Sequence, residues 1–177
     1  NIGAGMASAP LLFFLDADLE YPPGLMEHAL NLLEQEPELA AISFIDQPFC
    51  KTDGIIKNYG SLIEYHFYQI LVEHKPVARI FAFTTRNGIV RSEAFQEIGG
   101  FNEKYTTNAM EDYDFGKRLA GKFPVDMSNG PLIYHNFPSK LSRLLRNSWV
   151  RAKLFGRFSF DTHPHLDKAN TSPHQLL

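Results

Sequence analysis

The chain has 177 residues, with 17 Lys and Arg against 20 Asp and Glu and a formal net charge of -3. Hydrophobic residues at 44% and charged residues at 21% fit one globular domain and exclude a disordered chain, while the acidic balance excludes a general nucleic-acid binder. The one cysteine, Cys50, excludes an internal disulfide and a cysteine-built zinc site, and no run of about 18 apolar residues is present to span a bilayer.

In chain order, the sequence opens on Asn1-Ile2-Gly3, without an initiating Met and almost directly into a strand; it reads as a fragment lacking its N-terminal portion. Leu11-Leu12-Phe13-Phe14-Leu15 has no alternation and predicts a strand buried on both faces. Pro22-Pro23 suit the first turn of a helix carrying Leu25, Met26, Ala29, Leu32 and Leu33 and stopping before Pro37. Leu39 to Ile45 predicts a second buried strand. Gly60 to Glu73, with Leu62, Tyr65, Phe67, Tyr68 and Leu71, predicts a helix over a core or a substrate cleft. Ile80 to Thr85 and Gly88 to Val90 are β-like, and a short helix follows with Ser92 as its N-cap and Gly99-Gly100 as its stop.

A further helix is expected from Glu111 to Ala120, turning Phe115, Leu119 and Ala120 inward and ending at Gly121. Val125 to Met127 and Leu132 to Tyr134 predict short strands around the turn Ser128-Asn129-Gly130-Pro131. The composition then shifts. Lys140, Arg143, Arg146, Arg151, Lys153 and Arg157 have no acid among them, and Leu141, Leu144, Leu145, Trp149 and Phe155 interleave at helical spacing. The expected organisation is a catalytic-type domain over 1–138, a basic amphipathic helix over 139–160, and a loosely ordered polar tail over 161–177 with Pro164 and Pro173.

The chemistry concentrates where the first strand meets Asp16-Ala17-Asp18. Open α/β sheets place ligands at the carboxyl ends of their strands, and hard carboxylate oxygens there suit Mg²⁺ or Mn²⁺. One carboxylate would ligate the ion, and the other would orient a sugar, a ribose or a bound water. Capping by Asp gives the same short pattern and is the plain alternative. Glu111-Asp112-Tyr113-Asp114 is a second acidic cluster; acids in a helix's first turn also satisfy the macrodipole. His135 follows Leu132-Ile133-Tyr134 at a strand end, as a metal ligand through neutral imidazole or as a hydrogen-bonded structural residue. His163, His165 and His174 fall in the tail. Arg86, Asn87 and Arg91 flank a strand and are candidates for contact with phosphates.

Four motifs come in one order: Asn1-x-Gly3-x-x-x-Ala7; Leu15-Asp16-Ala17-Asp18; Gly99-Gly100-Phe101-Asn102-Glu103; and Glu111-Asp112-Tyr113-Asp114-Phe115 with Arg118-Leu119. From Asn1 to about His135 the chain resembles the C-terminal two-thirds of a family 2 glycosyltransferase, an inverting enzyme of GT-A fold. The resemblance implies a GT-A-like (Rossmann-like) mixed β-sheet flanked by helices and incomplete at the N-terminus. It implies transfer of a sugar, hexosyltransferase fashion, from a nucleotide-diphosphate donor to a hydroxyl of a polysaccharide, lipid-linked or cell-envelope glycan. By similarity the base is Asp112, with Glu111 as second choice. The metal, Mg²⁺ or Mn²⁺, is held by Asp18 with Asp16 and His135, and substrate is met by Asp16, Arg91, Gly99, Gly100, Phe101 and Arg118. Gly99-Gly100-Phe101 would form the acceptor-side wall.

The basic segment suits an anionic membrane surface, which agrees with the membrane-proximal acceptors of such enzymes and with a cytoplasmic protein peripheral to the inner face of the membrane. Packing of its apolar stripe on its own domain is the plain alternative. Two other functions fit parts of the pattern. A haloacid-dehalogenase-like phosphatase also ends an apolar strand in D-x-D, but Leu19-Glu20 stand where a Thr or Val is wanted and no Lys is suitably placed. A non-catalytic remnant binding carbohydrate or membrane is opposed by the retained Asp16, Asp18 and Asp112.

Overall fold

The computed structural model describes residues 1–73, 83–105 and 110–162. In chain order these form α1 (Ile2–Met6), β1 (Leu11–Phe13), β2 (Leu19–Glu20), α2 (Leu25–Gln35), β3 (Ala41–Asp46), α3 (Ile55–Glu73), β4 (Ile89–Arg91), α4 (Ser92–Ile98), α5 (Glu111–Ala120), β5 (Val125–His135) and α6 (Leu141–Thr162). The strands lie in the order β1-β4-β3-β5-β2. Only β3 and β5 run parallel; the other pairs are antiparallel. This is the mixed, helix-flanked α/β architecture that the GT-A resemblance implies.

Strand alternation sorts the core into two layers. Leu12, Ala41 and Val90 face Phe95 of α4 and Phe115 and Leu119 of α5. Ile42, Phe44 and Ile89 face Leu25, Ala29 and Leu33 of α2. β3 is therefore buried at every position, Asp46 included. Farther along the first face, Ile45 packs on Tyr68 of α3 and Met127 of β5.

Several expectations need correction. β1 ends at Phe13 and lies at the edge of the described sheet, so only Leu12 is buried and Leu15 is 53% exposed. Pro22-Pro23 precede α2, whose N-cap is Gly24 in left-handed backbone at φ 81°. Ser92 is the first residue inside α4 rather than its cap, because its hydroxyl donates to Ala9 O at 2.7 Å. β5 is one strand instead of two: its pairing with β3 shifts between Phe44 and Asp46, absorbing the turn-like residues as an irregularity. The β-like stretch at residues 80–82 and the tail at 163–177, with its histidines, lie outside the described residues.

Two tight features fix the site's surroundings. Gly100 has φ 67°, and a Cβ there would lie 2.6 Å from Asn1 Oδ1. Asn1 donates through Nδ2 to Phe101 O (2.9 Å) and to Glu103 Oε1 (2.8 Å), and accepts from Phe101 N–H at 2.9 Å. The first and third motifs, about a hundred residues apart in sequence, are thus one structural unit.

Candidate active site

The Asp16-Ala17-Asp18 segment is pinned by backbone. Asp16 N–H donates to Arg86 O at 3.2 Å, and Tyr21 hydroxyl donates to Asp16 O and to Arg86 O at 3.2 and 2.9 Å. Burial pushes the Tyr21 phenol up to about 12, so it stays a donor. Pairing of Leu19 with His135 brings β2 alongside the end of β5, and Asn136 N–H donates to Asp18 O at 3.1 Å. His135 Nε2 then lies 3.8 Å from Asp18 Oδ2, on a side chain that is 62% exposed. Desolvation, then the charge of Asp18, raises the Asp16 carboxyl above its ordinary value.

Behind this mouth sits a charged cluster that joins Arg86 and His135, both singled out from sequence, to Asp46 and Glu64, which the sequence reading did not pick out. Asp46 ends β3 fully buried, Glu64 projects from α3, and Arg86 precedes β4. Arg86 Nη1 donates to Asp46 Oδ2 at 2.9 Å and to Glu64 Oε2 at 3.1 Å, and lies 3.0 Å from His135 Nδ1. The same imidazole nitrogen is 3.3 Å from Asp46 Oδ2 and 3.6 Å from Glu64 Oε2. Asp46, Glu64 and His135 have the donor set of a metal group. Arg86 Nη1, however, already occupies the space between those three donors, so the guanidinium serves as the cluster's cation. Burial alone would raise the Glu64 carboxyl, but the Arg86 charge and the His135 hydrogen bond hold it well below the carboxylate range. Burial likewise opposes a charged His135, yet its hydrogen bonds to Asp46 and Glu64 outweigh that and lift it to about 8. Arg86 Nη2 and Asp46 Oδ1 remain buried without a hydrogen-bond partner.

Sequence signals for this cluster existed. Ala40-Ala41-Ile42-Ser43-Phe44-Ile45-Asp46 repeats the pattern of an apolar run ending in Asp, and Glu64 is an acid amid the aromatic face of α3.

A third acidic group opens the first turn of α5. Asp112 Oδ1 accepts Tyr113 N–H at 2.9 Å, and Glu111 Oε2 accepts Met110 N–H at 3.0 Å. Burial, then the adjacent Glu111 charge, pushes the Asp112 carboxyl up to about 7. Arg86 draws both Asp112 and Asp16 downward, and Glu111 pushes Asp16 upward. Arg86 thus acts electrostatically on both the D-x-D segment and the acidic helix.

The remaining residues have other placements. Arg118 bridges Asp114 (2.7 Å) and the carbonyls of Ile98 and Gly100 (2.9 and 2.8 Å), tying α5 to the end of α4. Gly99, at φ 82°, and Gly100 turn the chain there, and the Phe101 ring stacks among Phe14, Phe95 and Phe115. Arg91 is not with the carboxylates. It donates to Leu39 O at 2.9 Å and Leu33 O at 2.7 Å, meeting the carbonyl end of α2, because it lies at the opposite end of β4 from Arg86. Asn87 is also committed: it accepts Phe44 N–H and donates to Phe44 O, extending the ladder of β3. Of the residues named from sequence, the structure sets His135 beside Asp18 and leaves Arg91 apart.

Residues 1–152 match the model of a family described as glycosyltransferase like family 2. A protein of Haemophilus influenzae described as an uncharacterized glycosyltransferase is 29% identical over 148 residues, covering 80% of this chain and 47% of its own length. The chain thus spans about half the length of that curated relative. With the match running through all four motifs and the whole carboxylate cleft, the chain belongs to the glycosyltransferase-like family 2.

Proposed function

We propose that this cleft transfers a sugar, with inversion, from a nucleotide-diphosphate sugar to an acceptor hydroxyl, with Asp112 as the base. What supports this reading is the Asp112 carboxyl at the start of α5, pushed up to about 7 by burial and then by Glu111, with Arg86 acting on both it and Asp16. A hydroxyl is a poor nucleophile at pH 7, and a positioned base contributes about 10²–10⁴-fold, most effectively when its pKa is near the working pH. Glu111 acts through Asp112, keeping its proton affinity high by like charge.

Among the described residues neither Asp16 nor Asp18 forms an ion pair with Lys or Arg. Two neighbouring carboxylates in this state, next to an imidazole, fit a hard divalent cation. Asp18, Asp16 and His135 Nε2 would hold Mg²⁺ or Mn²⁺, with the other ring nitrogen of His135 oriented by Asp46 and Glu64. When bound, such an ion neutralises charge on the leaving diphosphate. Asp18→Ala is expected to weaken Mn²⁺-dependent binding of UDP or GDP at least tenfold by calorimetry. Equal binding with and without Asp18 removes the metal assignment.

No described helix is long and apolar enough to cross a membrane. α6 instead presents Leu141, Leu145 and Trp149 outward at four-residue spacing, Trp149 at 66% exposure, flanked by Arg146 and Lys153. This supports a peripheral contact with an anionic membrane on the cytoplasmic side, next to a glycan or lipid-linked acceptor. Trp149→Ala with Arg146→Gln and Lys153→Gln is expected to release the chain from vesicles of anionic lipid in a flotation assay. Retention as strong as that of the unmodified chain removes the membrane contact.

A further inference from the structure

The chain from Asp16 to Tyr21 is a loop anchored at both ends and in the middle. At its start Asp16 N–H donates to Arg86 O at 3.2 Å. In the middle Asp18 O accepts Asn136 N–H at 3.1 Å, and Leu19 pairs with His135. At its finish the Tyr21 hydroxyl reaches back to Asp16 O (3.2 Å) and to Arg86 O (2.9 Å). A single phenolic proton therefore closes the loop on itself. The ring that carries it stands edge-on to Phe13, with centroids 6.0 Å apart, so the hydroxyl is held from a packed base.

Arg86 takes part on both sides of this arrangement. Its carbonyl receives the loop, and its guanidinium Nη1 lies 3.0 Å from His135 Nδ1. The loop's carboxylates and the imidazole are thus referred to one residue, and Asp18 Oδ2 comes to 3.8 Å from His135 Nε2. Ions differ in what they ask of such a frame. Mg²⁺ demands near-ideal octahedral geometry at about 2.0–2.1 Å, whereas Ca²⁺ accepts irregular shells at about 2.3–2.6 Å. A slack loop suits Ca²⁺ and penalises Mg²⁺.

We propose that Tyr21 is a positioning residue whose hydroxyl sets the size of ion that Asp16, Asp18 and His135 accept, favouring Mg²⁺ over Ca²⁺. The proposal rests on the reading of those three residues as a metal site, and it adds a side chain that touches no ion yet selects among ions. Removing the hydroxyl slackens the loop without unfolding the chain. Arg86 O keeps the Asp16 amide, and Asp16 O lies at an exposed residue, open to water. Neither acceptor is left buried and unpaired.

A displacement titration of the full chain tests this. Mn²⁺ is bound first, its free fraction is read by electron paramagnetic resonance, and Mg²⁺ or Ca²⁺ is added to displace it. In Tyr21→Phe the ratio of Mg²⁺ to Ca²⁺ affinity is expected to fall about three- to tenfold, the range that one lost hydrogen bond corresponds to. Circular dichroism and melting of the metal-free protein should match those of the unmodified chain. Tyr134→Phe, which removes the phenol next to His135 in sequence, should leave the ratio unchanged. A ratio that stays the same in Tyr21→Phe, including an equal loss of both ions, overturns the role of Tyr21 and leaves the metal site standing. So does an equal fall in Tyr134→Phe. Failure of Mn²⁺ to bind the unmodified chain is a distinct result: it removes the metal site, and the role of Tyr21 with it.

Discussion

Asp112→Asn is expected to abolish sugar transfer and, at the same time, to make the protein more resistant to unfolding above neutral pH. The loss of transfer should reach about 10²–10⁴-fold, since the amide cannot accept the hydroxyl proton. The gain in stability follows from the direction of the shift. The carboxyl rises from 3.8 to about 7 on folding, chiefly through burial and then through Glu111. A raised acid favours the fold while it stays protonated; that contribution is complete below about pH 4 and lost as pH rises through about 7. Each unit corresponds to about 1.4 kcal/mol, so the ionised carboxylate costs on the order of 4 kcal/mol at pH 8. The neutral amide avoids that cost. Melting curves at pH 4 and pH 8 should therefore differ between the two proteins only at the higher pH. The rate profile of the unmodified enzyme should fall on the acid side with a midpoint near 7, and Glu111→Gln should move that midpoint down. A variant that retains transfer within tenfold, or that melts earlier at pH 8, rules out this account of Asp112.

Arg86→Ala is expected to be the most damaging substitution away from the reacting groups. It strips the guanidinium from buried Asp46 and from Glu64, whose side chain is 12% exposed. Breaking such a pair from one side typically costs about 3–5 kcal/mol. That is a large part of a domain's total stability. Lys at this position should recover part of the loss, because both carboxylates are met by the one nitrogen Nη1, a contact that a single ammonium can also make. Adding Asp46→Asn and Glu64→Gln to Arg86→Ala should restore most of the loss, since no unmatched charge is left behind. His135 sets the pH dependence. Its folded value near 8 lies above the ordinary 6.5, so its stabilising charge is complete below about pH 6.5 and gone as pH passes 8. The Arg86→Ala penalty, read by urea denaturation of the metal-free protein, should thus be larger at pH 9 than at pH 6. An equal penalty at both pH values removes His135 as the second cation of the cluster.

The parts of the site legible in sequence are those written in contiguous residues. Asp16 and Asp18 follow an apolar run, and Glu111-Asp112 opens a helix whose Phe115 and Leu119 repeat at helical spacing; the structure keeps both segments local and intact. Asp46, Glu64 and Arg86 come from β3, α3 and the loop before β4, and only the β3–β4 register and the packing of α3 bring them together. No spacing rule encodes that meeting. Arg86 and Arg91 looked equivalent because both flank β4, but opposite strand ends send one to the cleft and the other to the carbonyls of α2. Gly130-Pro131 signals a turn locally, yet renewed pairing of Ile133 with Asp46 carries β5 onward to His135. Long-range pairing overrode local preference there.

Glu64 divides its two oxygens between Arg151 on the surface helix and Arg86 in the interior. Its carboxylate is therefore a hinge pin common to both layers. Arg151 at the surface and His135 in the depth of the cleft thus act on a single carboxylate.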